Sequence, residues 1–280
     1  MTSPLRTPLT WVEPLASYTR WLRGADYPQT TERLRLYHLK RFGVTSGSDP
    51  TTVTTDDLLD YLGTHQWASS TRHSNRTTLR SFFGWMHASG RRGDNPAALL
   101  PKIRQQPGTP RPIPDQLLRD ALEAVGERER LMLLLGATGG LRAGEISRVN
   151  VSDIMGQRDA YSLLVHGKGR KQRVVPLADS MARDLRDAGS ANAGGWVFPG
   201  QINGHLSDGY VSKLMSRNLP DGWTAHTLRH RFASTAYAGS RDLRAVQELL
   251  GHTNVATTQI YTAVPDDSVR AAVMLTQLAA

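Results

Sequence analysis

The sequence predicts a mainly α fold with a small β-sheet, arranged as an all-helical domain joined by a linker to an α+β domain. Three observations predict it. Apolar residues recur at helical spacing through the first hundred positions; Pro101, Pro107, Pro110, Pro112 and Pro114 then interrupt the chain; beyond them, helical patterns flank two adjacent strand-like runs. A length of 280 residues, 39% of them apolar, suits two ordinary cores. The expected boundaries are 1–104 for the helical domain, 105–114 for the linker and 115–280 for the mixed domain with its tail.

In the first domain, positions 29–42 place Leu34, Leu36, Leu39 and Phe42 on a buried side. The next helix, 56–67, follows Thr54 and Thr55 as N-cap candidates and aligns Leu58, Leu59 and Leu62. The third, 70–88, sets Leu79, Phe82 and Met86 beside an i, i+4, i+8 row of Arg72, Arg76 and Arg80. No acidic residue falls between Asp60 and Asp94, so no Glu neutralises that row, and it reads as a DNA-facing surface. Arg91, Arg92, Lys102 and Arg104 are the further candidates for backbone contact. A merely solvated face is the alternative.

Prolines at that density cannot continue a helix and favour an extended connector. After it, helical patterns cover 115–125 and 128–135. Strand-like runs at 161–166 and 171–177 enclose Gly167 and Gly169 as a hairpin. A short strand at 196–198 precedes helical patterns at 207–219, 227–238, 241–250 and 266–278.

Charge narrows the partners. Lys+Arg 34 against Asp+Glu 25 gives +9, and 29 of the cations are Arg. Up to Pro110 there are 14 cations and 8 anions, or +6; the remainder holds 20 and 17, or +3. A polyanionic partner follows, and arginine's planar fork suits phosphate, although a GC-rich genome explains the Arg bias equally well. Zero Cys excludes disulfides, thiolate zinc sites and cysteine nucleophiles, and fits a reducing cytosol. The start lacks the apolar core of a signal peptide, and the run Leu131 to Leu135 is too short for a bilayer. A cytoplasmic protein without membrane contact is expected.

Five stretches of the second domain carry chemistry: TGGLRAGEI (138–146), HGKGRKQRVVPL (166–177), HTLRHRFA (226–233), LLGH (249–252) and TTQIYT (257–262). His226 and His230 stand four apart, but the zincin pattern wants Glu after the first His, and Arg229 on the same turn opposes a metal. No metal site and no cofactor are therefore expected. Together the stretches supply Arg142, Arg229, Lys168, His226, His252 and Tyr261, the set that metal-free phosphoryl transfer on a phosphodiester needs. Arg and His donors stabilise growing charge on the non-bridging oxygens, a phenol is a competent nucleophile, and a lysine can protonate the leaving alkoxide.

In order and spacing these stretches resemble the tyrosine recombinase family, the phage integrases and Xer-type resolving enzymes, across 113–264. The helical domain and its linker also resemble that family's core-binding domain. The resemblance implies that Arg142 and Arg229 clamp the scissile phosphate and that Lys168 is general acid toward the 5′-hydroxyl. His226 and His252 would hydrogen-bond the phosphate. Tyr261 would form a 3′-phosphotyrosine. Glu145 matches the family's acidic position and would orient active-site groups, with pairing to Arg148 as its alternative role. Tyr161, Tyr210 and Tyr237 fall in strand or helix patterns where packing accounts for them.

The implied partners are double-stranded DNA carrying a short core-type site and further copies of the chain, as dimer and tetramer. With the core-binding helices expected to begin within about thirty residues of Met1, no additional arm-binding domain is expected. A directionality factor is a further possible partner. The apolar segment 269–278 suits packing on a neighbouring protomer or in cis. Ala279 and Ala280 resemble a tail read by a Clp-type protease, or a frayed helix end. The leading expectation is a phage or mobile-element integrase, with a Xer-like resolvase second. A type IB topoisomerase and an inert DNA-binding architectural or regulatory protein are the remaining alternatives.

Overall fold

In a computed structural model, residues 6–104, 109–167 and 171–251 are described. The expected sites Lys168, His252, Tyr261, Ala279 and Ala280 and the helical pattern 266–278 lie outside them. The chain is mainly α with a small sheet and divides into two compact units, Met1–Pro107 and Gly108–Ala280. Among the described residues no helix is long and apolar enough to cross a membrane.

The first unit holds α1 (Leu9–Gly24), α2 (Gln29–Ser46), α3 (Thr55–Thr64) and α4 (Ser69–Ala88). The sequence pattern misses α1, because Pro14 lies inside it. Proline there removes one backbone donor and costs about 3 kcal/mol in a helix interior. The helix persists because Trp11, Leu15, Tyr18 and Leu22 form one fully buried stripe. Burying such side chains contributes roughly 1.5–3 kcal/mol each. Trp11 stacks on Phe82 at 5.5 Å, and its indole N–H donates to the Ser48 carbonyl at 2.9 Å. Thr54 caps α3 through a reciprocal bond with Asp57, which keeps the helix start where the sequence places it.

The second unit begins with α5 (Asp115–Glu123) and α6 (Glu127–Thr138). Leu131, Met132, Leu133 and Leu135 are all buried, so α6 runs through the core. The short α7 (Ala143–Ile146) follows, then β1 (Ile154–Met155), β2 (Ser162–His166) and β3 (Gln172–Pro176), an antiparallel sheet in that order. Pairs Leu163↔Val175 and Val165↔Arg173 share one face of the β2–β3 ladder. Next come α8 (Asp179–Ser190), β4 (Pro199–Ile202), α9 (Asp208–Arg217), α10 (Ala225–Ser240) and α11 (Leu243–Leu250).

Further elements of the second unit depart from the sequence reading, β1 among them. The helix α8 goes unread because its outer face alternates Arg183, Asp184, Arg186 and Asp187, leaving only Met181, Ala182, Leu185 and Gly189 buried. The strand expected at 196–198 lies instead at Pro199–Ile202. Val197 and Phe198 are core residues, and Trp196 makes a single bridge to Asn150.

Candidate functional site

The site is built at the C-terminus of α6. Gly140 takes φ +64 to turn the chain, and the Gly139 and Leu141 amides both bond the Leu135 carbonyl. This places Arg142 at the N-cap of α7. A Cβ on Gly140 would lie 2.4 Å from the Phe232 ring, within van der Waals overlap. Gly140→Ala is therefore expected to cost roughly 2–4 kcal/mol, combining the left-handed backbone penalty with overpacking. Urea unfolding measures it, and a loss below about 1 kcal/mol would show that Phe232 yields freely.

Glu145 is the centre of the site. Its side chain is 3% exposed. The carboxylate accepts the Arg142 backbone N–H and Arg142 Nη1 at 2.9 Å each. Arg173 meets it end-on, Nη1 and Nη2 each donating at 2.8 Å to a different oxygen. Arg229 Nη1 stands 3.9 Å from the same carboxylate. Burial alone would raise the carboxyl pKa, but the Arg173 hydrogen bonds and charge, with Arg142 behind them, bring it down to about 2. The alternative partner, Arg148, instead gives its Nε to the Gly144 carbonyl at 2.7 Å.

Arg229 is 2% exposed, and its guanidinium donates to the Gly140 and Leu250 carbonyls. Arg142 is the open cation of the pair, with 47% of its side chain exposed. His226 follows the α10 N-terminus, and burial, then Arg229, then Arg142 lower its pKa. Its ring stands 4.3 Å from that of His230. The structure thus brings Arg142, Glu145, Arg229 and His226 together. Among the described residues no group of three or more His, Asp or Glu side chains stands ready to hold a metal ion.

The sequence reading missed Arg173. It lies within the legible stretch 166–177, and strand alternation marks it, since Arg173 shares the inner face with Leu163, Val165 and Val175. A cation on a buried face needs a partner. Here the partner is Glu145.

The arginine row of the first unit, expected to face DNA, also has partners within its own unit. Arg72, Arg76 and Arg80 donate to the carbonyls of His65 (3.3 Å), Leu100 (2.7 Å) and Ala98 (2.8 Å). Arg76 and Arg80 brace the segment that follows α4 and Arg72 the end of α3, with Arg72 and Arg76 half-buried. Arg92 bonds Asp94 and the carbonyls of Pro50 and Val53, and Arg91 lies over the Trp85 ring. Lys102 and Arg104 are exposed.

Acid separates these groups. Burial, then His226 and Arg229, push His230 down from 6.5 to about 4. Below about 6.5 the unfolded chain binds a proton that the folded imidazole refuses, so stability falls as pH drops toward 4. The Glu145 contribution is intact above about 4.5 and is lost only as pH falls toward 2. Urea midpoints of the second unit should therefore fall between about pH 7 and pH 5, and His230→Gln should flatten that slope. An unchanged slope would contradict the assignment.

Comparison with known proteins accords with this geometry. Residues 115–267 match the phage integrase family. The chain is 38% identical over 205 residues to tyrosine recombinase XerC of Xanthomonas axonopodis pv. citri (strain 306), covering 66% of this chain and 65% of that protein. That span is just under two thirds of XerC. It is 31% identical over 281 residues to tyrosine recombinase XerD of Rhizobium meliloti (strain 1021), covering 87% and 86%. The fold is similar to the solved XerH site-specific recombinase bound to difH substrate in a pre-cleavage complex, with TM-score 0.67 and 21% identity over 94% of this chain and 84% of that one. With a family match over more than half its length and a cationic site assembled from the family's motifs, the chain belongs to the phage integrase family of tyrosine site-specific recombinases.

Proposed function

We propose that this chain is a Xer-like recombinase that exchanges DNA strands between copies of one short site. The observation that carries it is the convergence of Arg142 and Arg229 on Glu145 beside His226, with Arg142 left open toward an incoming anion. In this reading the Tyr261 oxygen attacks the scissile phosphorus and the bond to the 5′-oxygen breaks. Lys168 delivers the proton to that oxygen, and the phosphotyrosine conserves the bond for religation by a second 5′-hydroxyl. Arg142 and its neighbours stabilise charge on the non-bridging oxygens. His226 enters neutral, its pKa lowered, and so is able to accept a proton. His252 would complete the phosphate contacts, and further protomers would assemble on the site.

The XerC and XerD relatives favour this over the phage-integrase reading expected first. A nicked duplex drawn from DNA flanking the gene tests it. Wild type should form a covalent adduct that maps by mass spectrometry to the Tyr261 peptide, and Tyr261→Phe should form none. An adduct elsewhere, or none on any fragment that the protein footprints, would sink the reading. Recombination of two identical sites on one circle supports the Xer-like function, whereas reaction confined to unlike sites supports an integrase.

A further inference from the structure

We propose that Arg173 is a positioning residue for strand cleavage, holding the Arg142 turn, the Lys168 hairpin and the end of α11 in one fixed arrangement. The proposal rests on the recombinase reading above and extends it to a residue outside the expected set.

The geometry is specific to arginine. Arg173 sits on β3, the returning strand of the hairpin whose loop carries Lys168. Its two terminal nitrogens grip both Glu145 oxygens at 2.8 Å, and Glu145 in turn holds Arg142. Its third donor, Nε, reaches the Leu249 carbonyl at 2.6 Å. Leu249 lies in the last turn of α11, where unpaired carbonyls carry the negative end of the helix dipole. The side chain is 10% exposed, so these bonds form away from competing water.

The α11 C-cap is shaped to the same side chain. Gly251 takes φ +64, and a Cβ there would lie 3.1 Å from Arg173 Cδ. The next residue is His252, and Tyr261 follows nine positions later. Arg173 therefore fixes the end of α11, the element that precedes His252 and Tyr261 in the chain, and also the carboxylate that aims Arg142. A lysine keeps the charge beside Glu145 but has no fork with which to hold two oxygens and a carbonyl at once.

Arg173→Lys separates positioning from mere stabilisation. Hydrogen exchange without DNA reads the clamp: α11 amides should exchange about tenfold faster in Arg173→Lys, with α1 to α4 unchanged. Single-turnover cleavage of the nicked duplex should slow about 100-fold, while affinity for the same duplex stays within about twofold. Arg173→Gln should slow cleavage at least as much, and if it fails to fold, the charge-retaining Lys variant carries the test. Unchanged α11 exchange, cleavage within about threefold of wild type, or parallel loss of cleavage and affinity would each overturn the proposal. A wild type that forms no adduct overturns the recombinase reading and this proposal with it. Wild-type cleavage with an unimpaired Arg173→Lys overturns this proposal alone.

Discussion

Glu145→Gln is expected to destabilise the carboxy-terminal unit by roughly 3–5 kcal/mol, the cost of removing one partner from a buried ion pair. The carboxylate is nearly inaccessible and is the shared counter-charge of Arg173, Arg142 and Arg229. Gln keeps the shape and one acceptor oxygen, but its amide presents donors to guanidinium groups that are themselves donors only. Arg173, at 10% exposure, cannot turn to water for relief. Arg229 keeps its carbonyl partners Gly140 and Leu250 yet loses the nearby negative charge. Urea unfolding followed on the second unit measures the loss. The double variant with Arg173→Gln supplies the check on cause. If the pair is the source, Arg173→Gln should cost less in the Glu145→Gln background than in wild type, by at least about 1 kcal/mol. Additive losses would mean that Glu145 acts through packing alone.

Arg142→Ala should act almost entirely on chemistry. Its side chain is 47% exposed and donates to Glu145 through Nη1, while the α7 N-terminus is capped through its backbone N–H, which alanine retains. The Arg173 fork on Glu145 also remains. Stability should therefore change by no more than about 1 kcal/mol. Cleavage should fall about 10²–10³-fold, the effect of removing one preorganised donor from a site where charge develops. Filter binding and single-turnover cleavage on the same nicked duplex distinguish the two effects. Loss of DNA affinity in step with cleavage would instead make Arg142 a scaffold residue.

Much of this was legible in the chain. Helical periods located α2, α3 and α4, and Thr54 marked the start of α3 by its side-chain chemistry. The stretch 138–146 pointed to both Arg142 and Glu145 through its resemblance to the family's motif, and the structure sets the two on one short helical turn. What escaped did so for physical reasons. Pro14 argued against α1 locally, and only the burial of Trp11, Tyr18 and Leu22 against the other helices outweighs its penalty. The α8 pattern is half masked by its own solvated charges.

The Arg72, Arg76 and Arg80 row shows the limit most clearly. Its period was right, since all three lie on α4, but periodicity says nothing of what a face meets. The carbonyls of Leu100 and Ala98 lie 24 and 18 residues away along the chain and accept from Arg76 and Arg80. Arg173 is the same case in the second unit. Sequence alone determined the two-part organisation, the helical periods and the order of the motif residues, because these follow from local side-chain spacing. Tertiary structure alone decided that Glu145, 28 positions from Arg173, and Leu249, 76 positions from it, converge on one guanidinium. A buried cation takes its partners wherever packing delivers them, and chain separation carries no record of that choice.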